Sequence, residues 1–210
     1  MWRPRVRGRS QIATSSFFPP ELATWLDAVV ATPGLTAIKD AAEARRVLLD
    51  DSLRGVELVS QFAGAIVDVG SGGGAPGIPL AHALPDREVV LVEAERRKCE
   101  FLAAWAPPNA KVVWGRAEEQ PTDWAGAVVA KALAQPVTAA EWCLPLARIG
   151  GAVVLWVGPT AERDRVAAVA ERLAGRLVEA PSGFFVLEKV GPTPTGFPRR
   201  PGVAKKRPLA

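Results

Sequence analysis

A glycine-rich turn between an apolar run and a helical pattern restricts the fold of this chain more than any other segment. Residues 65–69 are apolar, residues 78–84 have helical spacing, and Gly70-Ser71-Gly72-Gly73-Gly74 lies between them. Glycines allow positive φ angles and a close approach of the backbone to a ligand. In a parallel α/β sheet such a turn lies at the carboxyl edge, where ligands bind. We call residues 70–77 the glycine loop, and the pattern predicts a cofactor site there.

Strand-like and helical runs alternate after the glycine loop. Strands are predicted at residues 88–92, 111–114, 127–130 and 152–157, and helices at residues 95–105, 137–148 and 161–174. This alternation indicates a mostly parallel sheet that helices cover on both faces. Two further strand-like runs, 176–180 and 184–190, are separated by only three residues, which is too short for a parallel crossover. We therefore predict an α/β, Rossmann-like sheet of the class I methyltransferase type, with a C-terminal antiparallel hairpin and additional N-terminal helices.

The pattern divides the chain into four segments. We predict a flexible basic arm at residues 1–20, an N-terminal helical extension at 21–64, a cofactor-binding domain at 65–190 and a basic tail at 191–210. Helices are expected at residues 21–30 and 41–59. A membrane helix needs about 18 or more apolar residues in a row, and no such run is present. Two cysteines are too few for a disulfide framework, so we expect a cytoplasmic protein without a membrane partner.

Basic residues are concentrated at the two ends of the chain. They comprise Arg3, Arg5, Arg7 and Arg9 at one end and Arg199, Arg200, Lys205, Lys206 and Arg207 at the other. Without these nine cations, the rest of the chain has fewer basic residues than its 22 acidic ones, out of 26 basic residues in all. A mildly acidic body with two basic ends is a plausible footprint for a nucleic-acid backbone. Charged ends that only maintain solubility are the alternative.

Two cofactors are compatible with the glycine loop. Gly70, Gly72 and Ala75 formally satisfy a dinucleotide pattern, so an NAD-dependent oxidoreductase is one alternative. Asp68 favours S-adenosyl-L-methionine, because that cofactor has no phosphate for a carboxylate to repel. Glu93, at the end of the next strand, suits both ribose hydroxyls of either cofactor. Asp68 and the predicted hairpin together favour S-adenosyl-L-methionine.

Other positions fit the same pocket. Ala117 and Glu118 follow the third strand, where an adenine would lie, and Lys131 ends the fourth strand beside the transfer region. Gly74 completes the loop contacts. No cluster of His and Cys is available for a metal, so none is expected. We interpret four tryptophans as core residues and two as weaker candidates for base stacking: Trp25, Trp105, Trp142 and Trp156, then Trp114 and Trp124.

Several separated segments resemble one known family, the guanine-N7 methyltransferases of small-subunit ribosomal RNA, also called the glucose-inhibited division B family. Residues 66–81 are similar to its signature loop, including the Pro-Gly-Ile-Pro continuation that other methyltransferases rarely have. Residues 35–38 with 51–53 resemble its N-terminal region, and residues 198–209 resemble its basic C-terminus. The resemblance covers roughly residues 34–209.

The resemblance implies methyl transfer from S-adenosyl-L-methionine to N7 of a guanine in 16S ribosomal RNA, either naked or within the small ribosomal subunit. It places cofactor contacts at Gly70, Ala75, Ala117, Glu118 and Lys131. Because N7 carries a lone pair and no proton, no catalytic base is expected, and Lys131 is the only catalytic candidate. The chain departs from the family pattern at four positions: Gly34, Leu48, Ala75 and Lys131.

Three alternatives stay open at this level. The acceptor could be a small molecule or a protein, the cofactor could be NAD, or the chain could bind RNA without catalysis. Nothing in the sequence requires more than a monomer. The target nucleotide follows only from the resemblance.

Overall fold

A computed structural model describes residues 19–210. The basic arm predicted at residues 1–20 lies outside these residues, apart from Pro19 and Pro20. At the centre is one sheet of seven strands in the order β3-β2-β1-β4-β5-β7-β6. The strands are β1 Ile66–Val69, β2 Val89–Glu93, β3 Ala110–Trp114, β4 Ala125–Lys131, β5 Ala147–Trp156, β6 Gly175–Val178 and β7 Phe184–Lys189.

The first five strands are parallel to one another, and the last two form an antiparallel hairpin. β7 lies between β5 and β6 and pairs antiparallel with both of them. The predicted α/β sheet with its C-terminal hairpin is therefore confirmed.

Two hydrophobic cores cover the two faces of the sheet. Val67, Val69 and Val90 face one core, and Ile66, Val89 and Leu91 face the other. Because β1 and β2 are buried on both faces, their sequences are apolar apart from Asp68 and Glu93 and do not alternate.

The helices are short, and several begin or end at proline or glycine. They are α1 Pro20–Ala31, α2 Ala41–Ala44, α3 Asp51–Leu53, α4 Val56–Ser60, α5 Gly77–Ala83, α6 Arg96–Trp105, α7 Pro136–Cys143, α8 Arg163–Arg172 and α9 Val203–Lys206. Among residues 19–210, none of these helices combines the length and the apolarity that crossing a membrane requires.

The helix predicted at residues 41–59 is wrong as a single regular element. A π-helical turn, Arg45–Asp50, joins α2 to α3, and Arg54 and Gly55 separate α3 from α4. A Cβ atom at Gly55 would lie 2.3 Å from the Trp156 ring, so the backbone packs directly on that indole. The carbonyl of Val47 within the π turn accepts a hydrogen bond from the Lys131 side chain. π turns of this kind often occur at functional sites.

The helix predicted at residues 137–148 is also too long. α7 ends at Cys143, a 3₁₀ turn covers Leu144–Leu146, and β5 begins at Ala147, well before the predicted residue 152. Pro145 ends the helix because proline lacks the amide hydrogen that a helix interior requires. Its carbonyl accepts a hydrogen bond from the amide of Asp123, which connects this turn to the entry of β4.

The C-terminal tail, residues 191–210, folds against the body of the protein. Thr193 donates hydrogen bonds from its amide and hydroxyl to the Asp123 carboxylate. Arg165 and Arg172 of α8 donate to the carbonyls of Ala210 and Leu209, respectively. The tail therefore lies against the entry of β4 and against α8.

Candidate functional site

A cleft of about 540 Å³ lies at the carboxyl ends of the central strands. Most of the predicted cofactor residues line it: Gly70, Gly72, Ala75, Glu93, Ala117, Glu118 and Lys131. Asp68 and Gly74 do not line it; they lie in the strand and the loop that support it. Elements separated by 60 residues of sequence therefore contribute to one cavity.

The glycine loop needs glycine at Gly70 for two reasons. Its φ angle is +70°, and an added Cβ would lie 2.3 Å from Cδ1 of Leu133. The amides of Gly70 and Ser71 both donate to the carbonyl of Val92. These contacts hold the loop against the end of β2, where its backbone forms the floor of the cleft.

Asp68 supports the loop from inside the protein. Its side chain is 1% exposed, and its Oδ2 accepts a hydrogen bond from the amide of Gly77 at 3.1 Å. Burial raises the pKa of this carboxyl to about 7, although the hydrogen bonds from Ser71 and Gly77 oppose the change. This geometry agrees with a role for Asp68 in organising the loop, because Asp68 does not line the cleft wall.

Glu93 connects the loop to the next strand. Its Oε2 accepts from the amide of Gly72 at 2.9 Å, and its Oε1 accepts from the amide of Glu95 at 2.8 Å. The carboxylate therefore has a fixed orientation at the cleft wall. Each oxygen still has a lone pair free for a hydroxyl donor.

Lys131 lies at the end of β4 with its side chain only 10% exposed. Its Nζ donates to the carbonyl of Val47 at 2.5 Å and lies 3.5 Å from the Asp51 carboxylate. Burial lowers the pKa of the ammonium group, while Asp51 opposes this change. Lys131 therefore connects the transfer region to the N-terminal helices in addition to lining the cleft.

Trp25 is a site residue that the sequence analysis interpreted only as core. Its indole Nε1 donates to the carbonyl of Gly73 at 2.9 Å, so α1 holds the glycine loop from the side opposite β2. No local sequence signal distinguishes this contact from ordinary core packing, because the two residues are 48 positions apart.

A second cavity, of about 790 Å³, lies beyond the ends of β4 and β5; we call it the β4–β5 cavity. It shares Ala132, Leu133 and Trp142 with the cleft. Lys205 from the tail and Arg165 from α8 also line it. The tail thus forms part of the wall of this cavity.

The predicted RNA-binding residues of the tail have different environments. Arg199 makes two hydrogen bonds, at 2.5 and 2.6 Å, to the carboxylate of Glu141, which is 2% exposed. It also donates to the carbonyl of Arg207. The side chains of Arg200, Lys205 and Lys206 have no ion-pair partner within residues 19–210. Arg199 therefore anchors the tail to α7, and the other cations face solvent.

The tail also reaches the cofactor cleft. The amide of Gly202 donates to Oε1 of Glu118 at 3.3 Å. Ala117 is buried beside it, at the start of a short 3₁₀ turn. Glu118 therefore connects the predicted adenine end of the cleft to the tail.

Within residues 19–210, no group of three or more His, Cys, Asp or Glu residues is arranged to bind a metal ion. Both cysteines are buried and reduced. Burial raises the pKa of both thiols, so neither is an activated nucleophile.

The sequence matches a family of known proteins. The family model described as rRNA small subunit methyltransferase G (GidB) matches residues 21–178, which is more than half of the chain. The chain belongs to this family. A relative from Pelotomaculum thermopropionicum, named ribosomal RNA small subunit methyltransferase G, is 38% identical over 197 residues, which span 83% of this chain and 82% of the relative. A relative of the same name from Roseiflexus is 34% identical and covers 99% of this chain and 95% of its own length.

Solved structures with a similar fold are more distant in sequence. A 16S rRNA methyltransferase from T. thermophilus, in complex with AdoMet and guanosine, has a TM-score of 0.50 and 19% identity over 67% of this chain and 40% of its own. A precorrin methyltransferase from Geobacter metallireducens has a TM-score of 0.50 and 13% identity over 77% of this chain and 92% of its own. These likenesses support the fold of this family member.

Proposed function

We propose that the chain transfers the methyl group of S-adenosyl-L-methionine to N7 of a guanine in 16S ribosomal RNA. The observation that carries the proposal is the cleft itself, in which the glycine loop and Glu93 meet in a member of this family. The names of the relatives support the RNA acceptor. An acceptor of this kind also fits the cytoplasmic location expected from the sequence.

The residues of the cleft fit S-adenosyl-L-methionine better than a dinucleotide. The Glu93 oxygens each accept one amide hydrogen bond and can accept a second from a ribose hydroxyl. The amide of Gly72, one of the loop amides that a pyrophosphate could use, already donates to Oε2 of Glu93. Ala117 and Glu118 would meet the adenine, and Lys131 would lie near the methionine portion.

The reaction requires little acid–base chemistry from the protein. S-adenosyl-L-methionine, held by the glycine loop and Glu93, would supply a sulfonium methyl group to the N7 lone pair, and the electron pair of the carbon–sulfur bond would stay on sulfur. No proton moves, so the chain's residues act by orientation, which can contribute several kcal/mol to lowering a barrier. The loop, Glu93 and Leu133 line the cleft in which this orientation would be fixed.

The exposed tail cations support an RNA acceptor. Lys205 lines the β4–β5 cavity, and Arg200 and Lys206 are exposed in the same tail. Phosphate contacts from such residues weaken steeply with salt. Arg207 belongs to the same surface, whereas a phosphate could engage Arg199 only in competition with Glu141.

Transfer of a labelled methyl group to small-subunit RNA, naked and as assembled particles, tests the proposal. Cleavage of the product at N7-methylguanine then locates the site. We expect one modified guanine in the wild type, and its loss in Glu93→Ala. Glu171→Ala serves as the control for general loss of the protein, since this glutamate is exposed and lines neither cavity.

Two other results would contradict the proposal. Binding of NADH, without binding of S-adenosylhomocysteine, would favour an oxidoreductase. Binding of S-adenosylhomocysteine without methylation of any form of the RNA would favour a small-molecule or protein acceptor.

A further inference from the structure

The β4–β5 cavity adjoins the cofactor cleft without being part of it. Ala132, Leu133 and Trp142 line both cavities, so a ligand in one lies next to the contents of the other. Its volume of about 790 Å³ is sufficient for a small ligand. Sites for such ligands typically measure about 300–1,000 Å³.

Trp142 lies at this junction and has an unpaired donor. Its indole Nε1 is buried and has no hydrogen-bond partner within residues 19–210. Leaving a buried donor unpaired costs about 1–3 kcal/mol, so such groups are rare and call for an explanation. Trp124 has a similarly unpaired indole, but it lines neither cavity.

The other residues of the cavity suit a nucleotide. Trp142 and Trp156 offer indole rings, Gln135 and Thr138 offer polar atoms, and Lys205 adds a cation. Unpaired bases of RNA are typically recognised by aromatic packing combined with hydrogen bonds to the base edge. Cations beside such a pocket meet the phosphates.

The chemistry of an indole restricts which base it can select. An indole nitrogen only donates a hydrogen bond. Guanine presents the acceptor O6 beside N7, whereas adenine presents an amino donor at the same place. An unpaired indole donor therefore favours guanine and disfavours adenine.

We propose that the β4–β5 cavity binds the acceptor guanine and that the Trp142 indole donates a hydrogen bond to its O6. This inference rests on the proposed function and names the residue that selects the base. A bond to O6 leaves the lone pair of N7 free for the methyl group, because the two acceptors are different atoms on one edge. The guanine in turn supplies the acceptor that Trp142 lacks in the free protein.

Nuclear magnetic resonance of the indole ¹⁵N–H groups tests this inference without any turnover. The protein is saturated with S-adenosylhomocysteine, and the Trp142 signal is assigned by its loss in Trp142→Phe. Millimolar guanosine 5′-monophosphate and inosine 5′-monophosphate both carry O6 and should shift this signal, while adenosine 5′-monophosphate should not. An unmoved Trp142 signal, or an equal shift with the adenine nucleotide, would overturn the inference.

Kinetics with matched variants provide the second test. Trp142→Phe keeps an aromatic ring but removes the donor together with the second ring, and kcat/KM for RNA should fall about tenfold, as expected for one lost hydrogen bond. Because Trp142 also lines the cofactor cleft, affinity for S-adenosylhomocysteine is measured beside it and should fall less than kcat/KM. Trp124→Phe removes the other unpaired donor and the same ring volume, so it should lower the melting temperature similarly but leave kcat/KM at the wild-type level.

Different results would overturn the proposed function and the proposed role of Trp142. A wild-type protein whose Trp142 signal responds to guanine but which methylates no ribosomal RNA would retain the guanine pocket and lose the proposed acceptor. Normal RNA methylation by Trp142→Phe would retain the proposed function and overturn the role of Trp142.

Discussion

The cofactor cleft and the β4–β5 cavity adjoin each other but are held together by different interactions. In the cleft, carboxylates of neighbouring strands bind backbone amides of the glycine loop, as with Asp68 and Gly77 or Glu93 and Gly72. The β4–β5 cavity depends on the tail, which arginine side chains attach to α7 and α8. The glycine loop of the cleft is therefore held largely by the strands on either side of it in the sequence, and the cavity wall by contacts between the tail and more distant helices.

Because of this difference, we expect that the two halves of the site, the cofactor cleft and the β4–β5 cavity, can be disturbed separately. A change in the loop should alter cofactor binding first. A change in the tail should alter the cavity and RNA binding while the cleft persists. The following predictions test this separation, beginning with the largest expected effect.

Loss of the tail anchor should produce the largest change in stability. Arg199→Ala leaves the Glu141 carboxylate buried without its partner, and we expect the free energy of unfolding to fall by about 3 kcal/mol. Urea denaturation measures this. Affinity for S-adenosylhomocysteine should stay near the wild-type value, because Arg199 does not line the cleft.

Arg200→Ala is the matched control for the tail anchor, since Arg200 is exposed and unpaired within residues 19–210. It should change the free energy of unfolding by less than about 0.5 kcal/mol. If both variants lost cofactor affinity equally, the two halves of the site would not be separable.

The buried carboxyl of Asp68 should make the stability depend on pH. Its pKa is about 7 in the folded protein, against 3.8 in the absence of burial. Between these values the folded state binds more protons than the unfolded state, so the contribution of Asp68 to stability falls as the pH rises from about 4 to about 7. Above pH 7 the contribution is constant, because both states are ionised.

Urea denaturation of the wild type and Asp68→Asn across this range checks the pH dependence. The wild type should lose a few kcal/mol relative to the variant as the pH rises, because asparagine cannot ionise. A difference that increases with pH would show that Asp68 is ionised in the folded protein at low pH.

A larger residue at Gly77, at the end of the glycine loop, should alter the cofactor cleft and not the β4–β5 cavity. In Gly77→Ala the added Cβ would lie 2.3 Å from Cδ2 of Leu91 and 2.6 Å from Oδ2 of Asp68. We expect a loss of about 2 kcal/mol in stability and weaker binding of S-adenosylhomocysteine, measured by calorimetry. Gly158→Ala is the control, because nothing lies within 4 Å of its Cβ position. Similar cofactor affinities for both variants would contradict the role of this packing.

Lys131 should produce the smallest effect. Lys131→Met keeps the length of the side chain but removes the hydrogen bond to Val47 and the charge near Asp51. We expect the protein to lose about 1.5 kcal/mol in stability, since hydrogen bonds to charged groups contribute on this scale. Hydrogen exchange should become faster at residues 45–50. Unchanged exchange there would mean that Lys131 does not hold the π turn.

Local patterns were sufficient to predict most of the strands and the order of the elements. The run at residues 65–69 and the three-residue link before residue 184 are signals that neighbouring residues generate by themselves. The two helices that were predicted wrongly, at residues 41–59 and 137–148, show that local patterns do not reveal breaks caused by distant residues. The break at Gly55 depends on the ring of Trp156, and the early start of β5 depends on pairing with β4.

The sequence by itself determined the glycine loop, the adjacent Glu93 and the basic tail, because each is encoded by residues close together in the chain. Only the tertiary structure decided which groups complete the site. Trp25 reaches Gly73, Lys131 reaches Val47, and Arg199 reaches Glu141 across 48, 84 and 58 positions, respectively. Contacts at such separations leave no periodic trace in the sequence, since they depend on how the packed layers bring distant elements together.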